Sequence, residues 1–460
     1  MKKIVQLVIC LLVVSLTFAQ QATGDNTSPE EFAAILKTAD RGTRDLRNLP
    51  SSFSLKKFSP IPQNQGNYGT CVAWSAGYAA RTISFVLQRN ITNTDSIKKY
   101  VFSPGYIYFK IKDSTDKNCT KGSSILNAMK TMSSTGIMLK KEGLVDCATI
   151  IPKNAELKKA TPFKIKDFLS LNSVFGAIAK NDILKIKKSL TEKKPVVISI
   201  KCYTSFKYVT SPGIWTPSPG DGQSENHAVC IIGFDDKMNG GSFEIMNSWG
   251  IEWGDKGFGW LSYDQIMKYG NYAVELMDNE VGKTEISGNV DFINLDETVM
   301  PASKSKMAGY SLYKLTDTLA TGSSFKMKFS TNSPCYIYVF AQDDKGEISP
   351  MFPPKPTTSA AINSTKATYY FPSDSTNAQL RPTVGKEIFC ILYSKSAIDH
   401  EGILNFMKET NTNINKAVKD KLGTRLLDMR KVKFQDDRII FQTPTVENSV
   451  LCFFVEMNHW

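Results

Sequence analysis

An α+β domain of two halves followed by a β-rich domain is what this 460-residue sequence predicts, on three observations. The chain is longer than one ordinary hydrophobic core organises, so two domains are expected. Between residues 49 and 282 apolar residues recur first at helical spacing and then in alternating, turn-bounded runs. That order argues for helices beside an antiparallel sheet rather than for βαβ units. From 283 to 460 short strands of period two alternate with turn clusters, the pattern of a β-sandwich. Apolar residues at 42% and charged residues at 22% suit a chain that buries a substantial core.

The N-terminus reads differently. Lys2 and Lys3 precede the apolar run IVQLVICLLVVSLTFA, which ends at the small-x-small-like Thr17-Phe18-Ala19. This is the pattern of a secretory signal peptide cleaved near Ala19, too short for a stable bilayer anchor. No later stretch reaches the length of a membrane span, so an exported protein is expected, whether secreted, periplasmic or at the cell surface. Residues 20–48 are polar and aperiodic and read as a short, loosely ordered leader. The net charge of +12 is spread over lysines without a basic block interleaved with aromatics, which argues against nucleic-acid binding.

Within 49–282 the Ala-rich segment 71–89 predicts a helix buried on most sides. Ser103-Pro104 starts a second helix, with Tyr106, Tyr108 and Phe109 following at helical spacing. Further helices are predicted at about 123–134 and 180–191, the latter leading through Pro195 into the strand VVISIKCY. The strands HAVCIIGF, SFEIMNS and GFGWLSY come next, separated by turns. In the second domain SSFKMKFS, CYIYVFAQ, ATYYFPS and EIFCILYS read as strands. A helix at about 402–421 then precedes RIIFQTPT and SVLCFFVEM.

Nine cysteines are present. Cys10 lies in the signal segment and Cys71 is a candidate nucleophile, which leaves seven, an odd number that cannot pair completely. Cys202 and Cys230 sit in strand-like runs and read as buried free thiols. Cys119 and Cys147 flank a helical segment and are the preferred disulfide pair.

The chemistry concentrates in three places: QNQGNYGTCVAWSAG (63–77), ENHAVCIIGFDD (225–236) and FEIMNSWGIEWG (243–254). Cys71 stands at a helix start, where the positive end of the helix dipole favours a thiolate. Of the three histidines, His227, His400 and His459, only His227 shares a domain with Cys71 and can serve it as base. Scattered histidines argue against a metal site, and no cofactor is expected. Asn247 can hold the far imidazole nitrogen, Trp249 can shield that bond from water, and Gln65 can donate to a developing oxyanion together with the Cys71 backbone N–H.

On Gln65, Gly66, Gly69, Cys71, Ala73 and Ser75, on His227 in NHAV, and on Asn247-Ser248-Trp249-Gly250 with Trp253-Gly254, the region 49–282 resembles the papain family of cysteine peptidases. The resemblance implies a two-lobed fold and hydrolysis of peptide bonds through a thioester acyl-enzyme. It makes Cys71 the nucleophile, His227 the general base and acid, Asn247 the orienter and Gln65 the oxyanion donor. Gly122 is implied to offer its backbone to the substrate chain, with Ser123, Asn226 and Trp249 also lining the substrate site. Protein or peptide substrates are implied with them.

Departures from the family pattern are Tyr68 in place of a cysteine, Val72 in place of a tryptophan, and Ser123 in place of a second glycine. They resemble exported bacterial branches of the family. A leader of about thirty residues is shorter than the inhibitory propeptide of many relatives, so the mode of latency stays open. Two alternatives also stay open: a catalytically silent peptide-binding protein with the same fold, and acyl transfer to an amine. The second domain, on residues 309–353 and GKEIFCILYS, resembles β-rich modules beside exported bacterial proteases. It is expected to bind a surface, a glycan or a protein, or else to act as a stabilising appendage.

Overall fold

A helix over 71–88, with its π-helical middle Trp74–Arg81, is the spine of the first domain in this computed structural model. The structure describes residues 22–39, 46, 48–140, 158–218, 220–222, 224–280, 282, 284–307, 309–365, 367–373, 375–410, 412–444 and 448–460. The predicted signal segment and Cys147 lie outside them. Residues 71–86 are all buried, as the run of alanines and large apolar side chains demands. Pro104–Ile111 and Ile125–Ser134 pack beside this helix. The first of these starts where predicted, with Ser103 Oγ accepting from Tyr106 N and Pro104 in the first turn. Arg81, buried inside the spine, donates to Asp278 at 2.6 Å and ties the helical half to the sheet half.

The sheet half contains β1 (Ser52–Ser54), β2 (Asp167–Ser170), β3 (Val196–Cys202), β4 (Glu225–Asp235), β5 (Ser242–Met246), β6 (Phe258–Ser262) and β7 (Gly270–Met277). Their order is β2-β7-β3-β4-β5-β6, antiparallel throughout, with β1 beside β4. Two registers position the seam between the halves. Ile200 of β3 faces His227 of β4, and Cys230 of β4 faces Met246 of β5, so the residue after β5 emerges beside the start of β4.

The second domain is a sandwich. One sheet runs Ile348–Phe352, Cys335–Asp343, Gly385–Ser394, Val450–His459, Tyr310–Leu315, Ala302–Met307. The other runs Tyr369–Phe371, Ser324–Thr331, Glu285–Ile293, Ile440–Pro444, Lys433–Phe434. Ser324–Thr331 buries alternate residues, and Phe325, Met327 and Phe329 meet Ile337, Val339, Phe389 and Phe453 in one core. The outer face of the first sheet is covered by helices His400–Thr410 and Ile414–Leu422. The sequence predicts these as one helix. The break falls in an Asn/Thr stretch, where the Asn413 side chain accepts from Lys416 N and restarts the helix.

Leu169 and Met277 of the first domain complete this outer core, and Tyr336 OH donates to Asp167 at 2.9 Å across the boundary. The two domains are therefore packed together and not strung on a linker. Cys119 is disulfide-bonded, while Cys202 and Cys230 are buried free thiols, as are Cys335, Cys390 and Cys452. Among the described residues no helix is long and apolar enough to cross a membrane.

Residues 22–39 are not the loose leader that their polarity predicts. Ser28 and Glu31 form a capping box on the short helix Pro29–Ala33. This turns Phe32 inward against Phe175 and Tyr272, at ring distances of 5.6 and 5.4 Å. Ser170 N donates to Leu36 O at 2.9 Å, and Lys37 N donates to Thr357 O of the second domain at 2.9 Å. The leader is thus clamped by both domains.

Candidate active site

Cys71 opens the spine helix at the seam between the two halves, and the strand β4 brings His227 to the same seam. His227 Nε2 lies 2.8 Å from Asn247 Oδ1, just past the end of β5. The same Oδ1 accepts from Ser248 N at 2.8 Å, which identifies it as oxygen. Nε2 must then carry the ring proton, and Nδ1 keeps its lone pair; it is buried and has no hydrogen-bond partner among the described residues. That is the tautomer a general base needs. The Trp249 ring stacks on His227 at 4.6 Å and 25°, shielding the Asn247 bond from solvent as its position predicts.

Gln65 is held from two sides. Its N–H donates to Ser248 O at 2.8 Å, and its Oε1 accepts from Ser248 Oγ at 2.5 Å. The amide nitrogen is left to donate to Tyr68 O at 2.7 Å and into the cleft at 3.1 Å. Gly69 N donates to Cys119 O at 2.7 Å, so the loop before Cys71 rests on the disulfide-bonded loop.

What fills the cleft is the leader. Gly24 N and Asp25 N donate to Asn226 O at 3.3 and 3.2 Å. Ser123 N donates to Gly24 O at 2.8 Å, and Asn26 N donates to Ser123 O at 3.1 Å. Ala22 O accepts from both Gln65 Nε2 and Trp249 Nε1 at 3.1 Å. The backbone of Gly24 reaches the Cys71 sulfur, as does that of Ala228. This passage needs two glycines: a Cβ on Gly24 would overlap the Gly69 carbonyl, and one on Gly122 would overlap the Gly24 carbonyl.

Main-chain pairing expected of Gly122 is therefore made by its neighbour Ser123. Gly122 contributes close approach instead, at φ +80, with its carbonyl accepting from Tyr108 OH at 3.3 Å. Of the eight residues predicted for the site, Cys71, His227, Asn247, Gln65, Ser123, Asn226 and Trp249 line the leader's path or the His227 pair, and Gly122 borders it.

Burial under the leader sets the electrostatics. It pushes the Cys71 thiol up to about 12, with the Ala228 backbone opposing. It pushes His227 down to about 4, against the hydrogen bond that the ring donates to Asn247. The shift of Cys71 runs against the thiolate that its helix start favours, because burial penalises the charged form.

A model of the papain family cysteine protease family matches residues 49–275. Residues 49–275 are a papain family cysteine protease domain. A second family model, a domain of unknown function (DUF4384), matches residues 318–397. The chain is 25% identical to an uncharacterized peptidase C1-like protein of Acanthamoeba polyphaga mimivirus, over 54% of this chain and 82% of that one. It is 27% identical to a cathepsin B-like protein of Giardia intestinalis, over 48% and 71% respectively. Among solved structures, a cysteine protease from Xylella fastidiosa, xylellain, aligns at 20% identity and a TM-score of 0.45, over 56% of this chain and 96% of that one.

Several residues of the peptidase site escaped sequence reasoning: Ser248 as the clamp on Gln65, Ser199, Asn271 and Tyr272 beneath Asp25, and the leader segment Ala22 to Thr27. The one legible signal was S-x-x-E at Ser28 and Glu31, a helix start ahead of Phe32.

Gly24→Ala forces the leader off Gly69, so a thiol-reactive probe labels Cys71 at least about tenfold faster than in the parent chain. An unchanged rate contradicts the seal. A second expectation concerns Asp25, whose carboxyl burial holds above 3.8 against hydrogen bonds from Ser199, Thr27 and Tyr272. The docked leader binds this proton more tightly than the free leader. Docking is at full strength below the ordinary aspartate range and weakens as pH rises through the raised value. Labelling across about pH 4 to 7, referenced to Asp25→Asn, therefore accelerates with pH in the parent chain relative to the variant.

Proposed function

We propose that the chain is an exported cysteine endopeptidase whose cleft its own leader closes. The observation that supports this most is the leader itself: a peptide main chain already lies over Cys71, paired with Ser123 and Asn226 and offering a carbonyl to Gln65. In the open cleft the Cys71 thiol gives its proton to His227 Nδ1, and Sγ attacks the substrate carbonyl carbon. Gln65 Nε2 and the Cys71 N–H stabilise the oxyanion. His227 returns the proton to the leaving amine, which departs and leaves a thioester. A water activated by the same nitrogen then releases the acid and the free thiol. Asn247 holds Nε2, so Nδ1 is the nitrogen left for these proton transfers.

The test is turnover of internally quenched peptides by the full chain. Cys71→Ala and His227→Ala are expected to abolish cleavage, and Gln65→Ala to lower kcat/KM about 10²-fold or more. Product masses unchanged by added amine distinguish hydrolysis from acyl transfer. Cleavage that survives Cys71→Ala refutes the assignment.

Export is proposed on the Lys2-Lys3 and apolar run ending at Ala19, and the C-terminal domain is proposed to bind a surface, glycan or protein. Cell fractionation tests both. The expected chain begins near Gln20 and stays with the cell envelope. A cytoplasmic chain still beginning at Met1 sinks export, and one wholly free in the medium sinks the surface role.

A further inference from the structure

The Asp25 side chain leaves the leader beside Cys71 and enters a pocket in the sheet half. Asp25 is 5% exposed, and each of its carboxyl oxygens lies 3.2 Å from Tyr272 OH. The Ser199 hydroxyl supports it as well. Ser199 and Tyr272 are register partners on β3 and β7, so the strand pairing itself sets the two hydroxyls side by side. Asn271 Nδ2 donates to Ser199 Oγ at 3.1 Å and to Asn226 Oδ1 at 3.0 Å, which connects the pocket floor to the backbone that pairs with the leader. Both hydroxyl residues are fully buried.

On its own side the leader contributes Thr27. Its hydroxyl donates to Asp25 Oδ1 at 2.7 Å, and its oxygen accepts from Ile125 N at 3.0 Å and lies 2.5 Å from Tyr272 OH, whose single proton Thr27 and the Asp25 carboxyl compete for. When the leader moves out, Tyr272 OH and the Ile125 N–H lose their leader acceptors, and Ser199 loses the Asp25 carboxyl while keeping Asn271 Nδ2. A substrate side chain that cannot hydrogen-bond leaves buried donors unpaired, which is the arrangement that discriminates most steeply between otherwise similar ligands. Among the described residues, the groups acting on the Asp25 carboxyl are hydroxyls and one backbone amide, with no cation. Such a floor favours an oxygen that accepts without demanding a counter-charge.

We propose that Tyr272 and Ser199 form the specificity pocket of this peptidase. It selects a small side chain with a hydrogen-bonding oxygen, Asn, Thr, Ser or protonated Asp, on the substrate residue lying against Ser123 and Asn226. This deepens the proposed peptidase function and rests on it for the cleavage readout alone. Tyr272 and Ser199 act as specificity-determining residues and take no part in the proton transfers of Cys71 and His227.

Peptides that vary only at that residue test it on the full chain. The Asn and Thr peptides are expected to exceed the Leu, Phe and Arg peptides by at least about tenfold in kcat/KM. Tyr272→Phe lowers the Asn-to-Leu ratio of kcat/KM at least about tenfold, a ratio that loosening of the leader does not move because it acts on both peptides alike. A preference for Leu, Phe or Arg, or a ranking that Tyr272→Phe does not move, overturns the assignment. Binding of the same peptides to the Cys71→Ala full chain separates the two claims. Tighter binding of Asn over Leu with no cleavage by the parent chain supports the pocket and sinks only the enzyme. Equal binding sinks the pocket whether or not the parent cleaves.

Discussion

Main-chain pairing of the leader with Ser123 and Asn226 is the contact on which the chemistry of this molecule turns. It is short, but it excludes water from both members of the reactive pair at once. Burial raises the Cys71 thiol and lowers the His227 imidazole, so the charged form of each is disfavoured there. Ser123 and Asn226 thus pair with the leader's backbone beside Cys71 and His227, both of which are fully buried.

The seal is supported well away from the cleft. Phe32, turned inward by the Ser28 capping box, packs on Phe175 and Tyr272, and Lys37 bridges β2 and the second domain. Each of these contacts adds burial to a leader too short to fold alone. The second domain thereby shares in holding the leader, through backbone pairing at Thr357 and Ser359. A polar pocket under Asp25 makes the docking proton-linked, since an uncompensated carboxylate is poorly tolerated there.

Much of the fold was legible because its signals are local. The spine helix declares itself through its alanines, Pro104–Ile111 through Ser103 and Pro104, and Ser324–Thr331 through strict alternation. Cys71, His227, Asn247 and Gln65 could be picked out because histidines are few and each sits in a short, patterned segment. The leader's docking was not legible, since its partners lie far along the chain and polar residues look alike whether they solvate a coil or cap a helix. Ser123 rather than Gly122 as the pairing residue depends on which carbonyl faces the cleft, a property of backbone dihedrals and not of residue type. Tyr272 and Ser199 read as ordinary strand residues until β3 and β7 are set in register. The shifts of Cys71 and His227 likewise stem from burial, to which residues far along the chain contribute and which no local pattern encodes.

Amide hydrogen exchange on the intact chain tests the central claim most directly. If the leader seals the cleft through main-chain hydrogen bonds, the amides of Gly24, Asp25, Asn26 and Ser123 exchange at least about a hundredfold more slowly than in an unstructured peptide. Exchange of these four at the unprotected rate, with the β3 and β4 amides still protected, would contradict it.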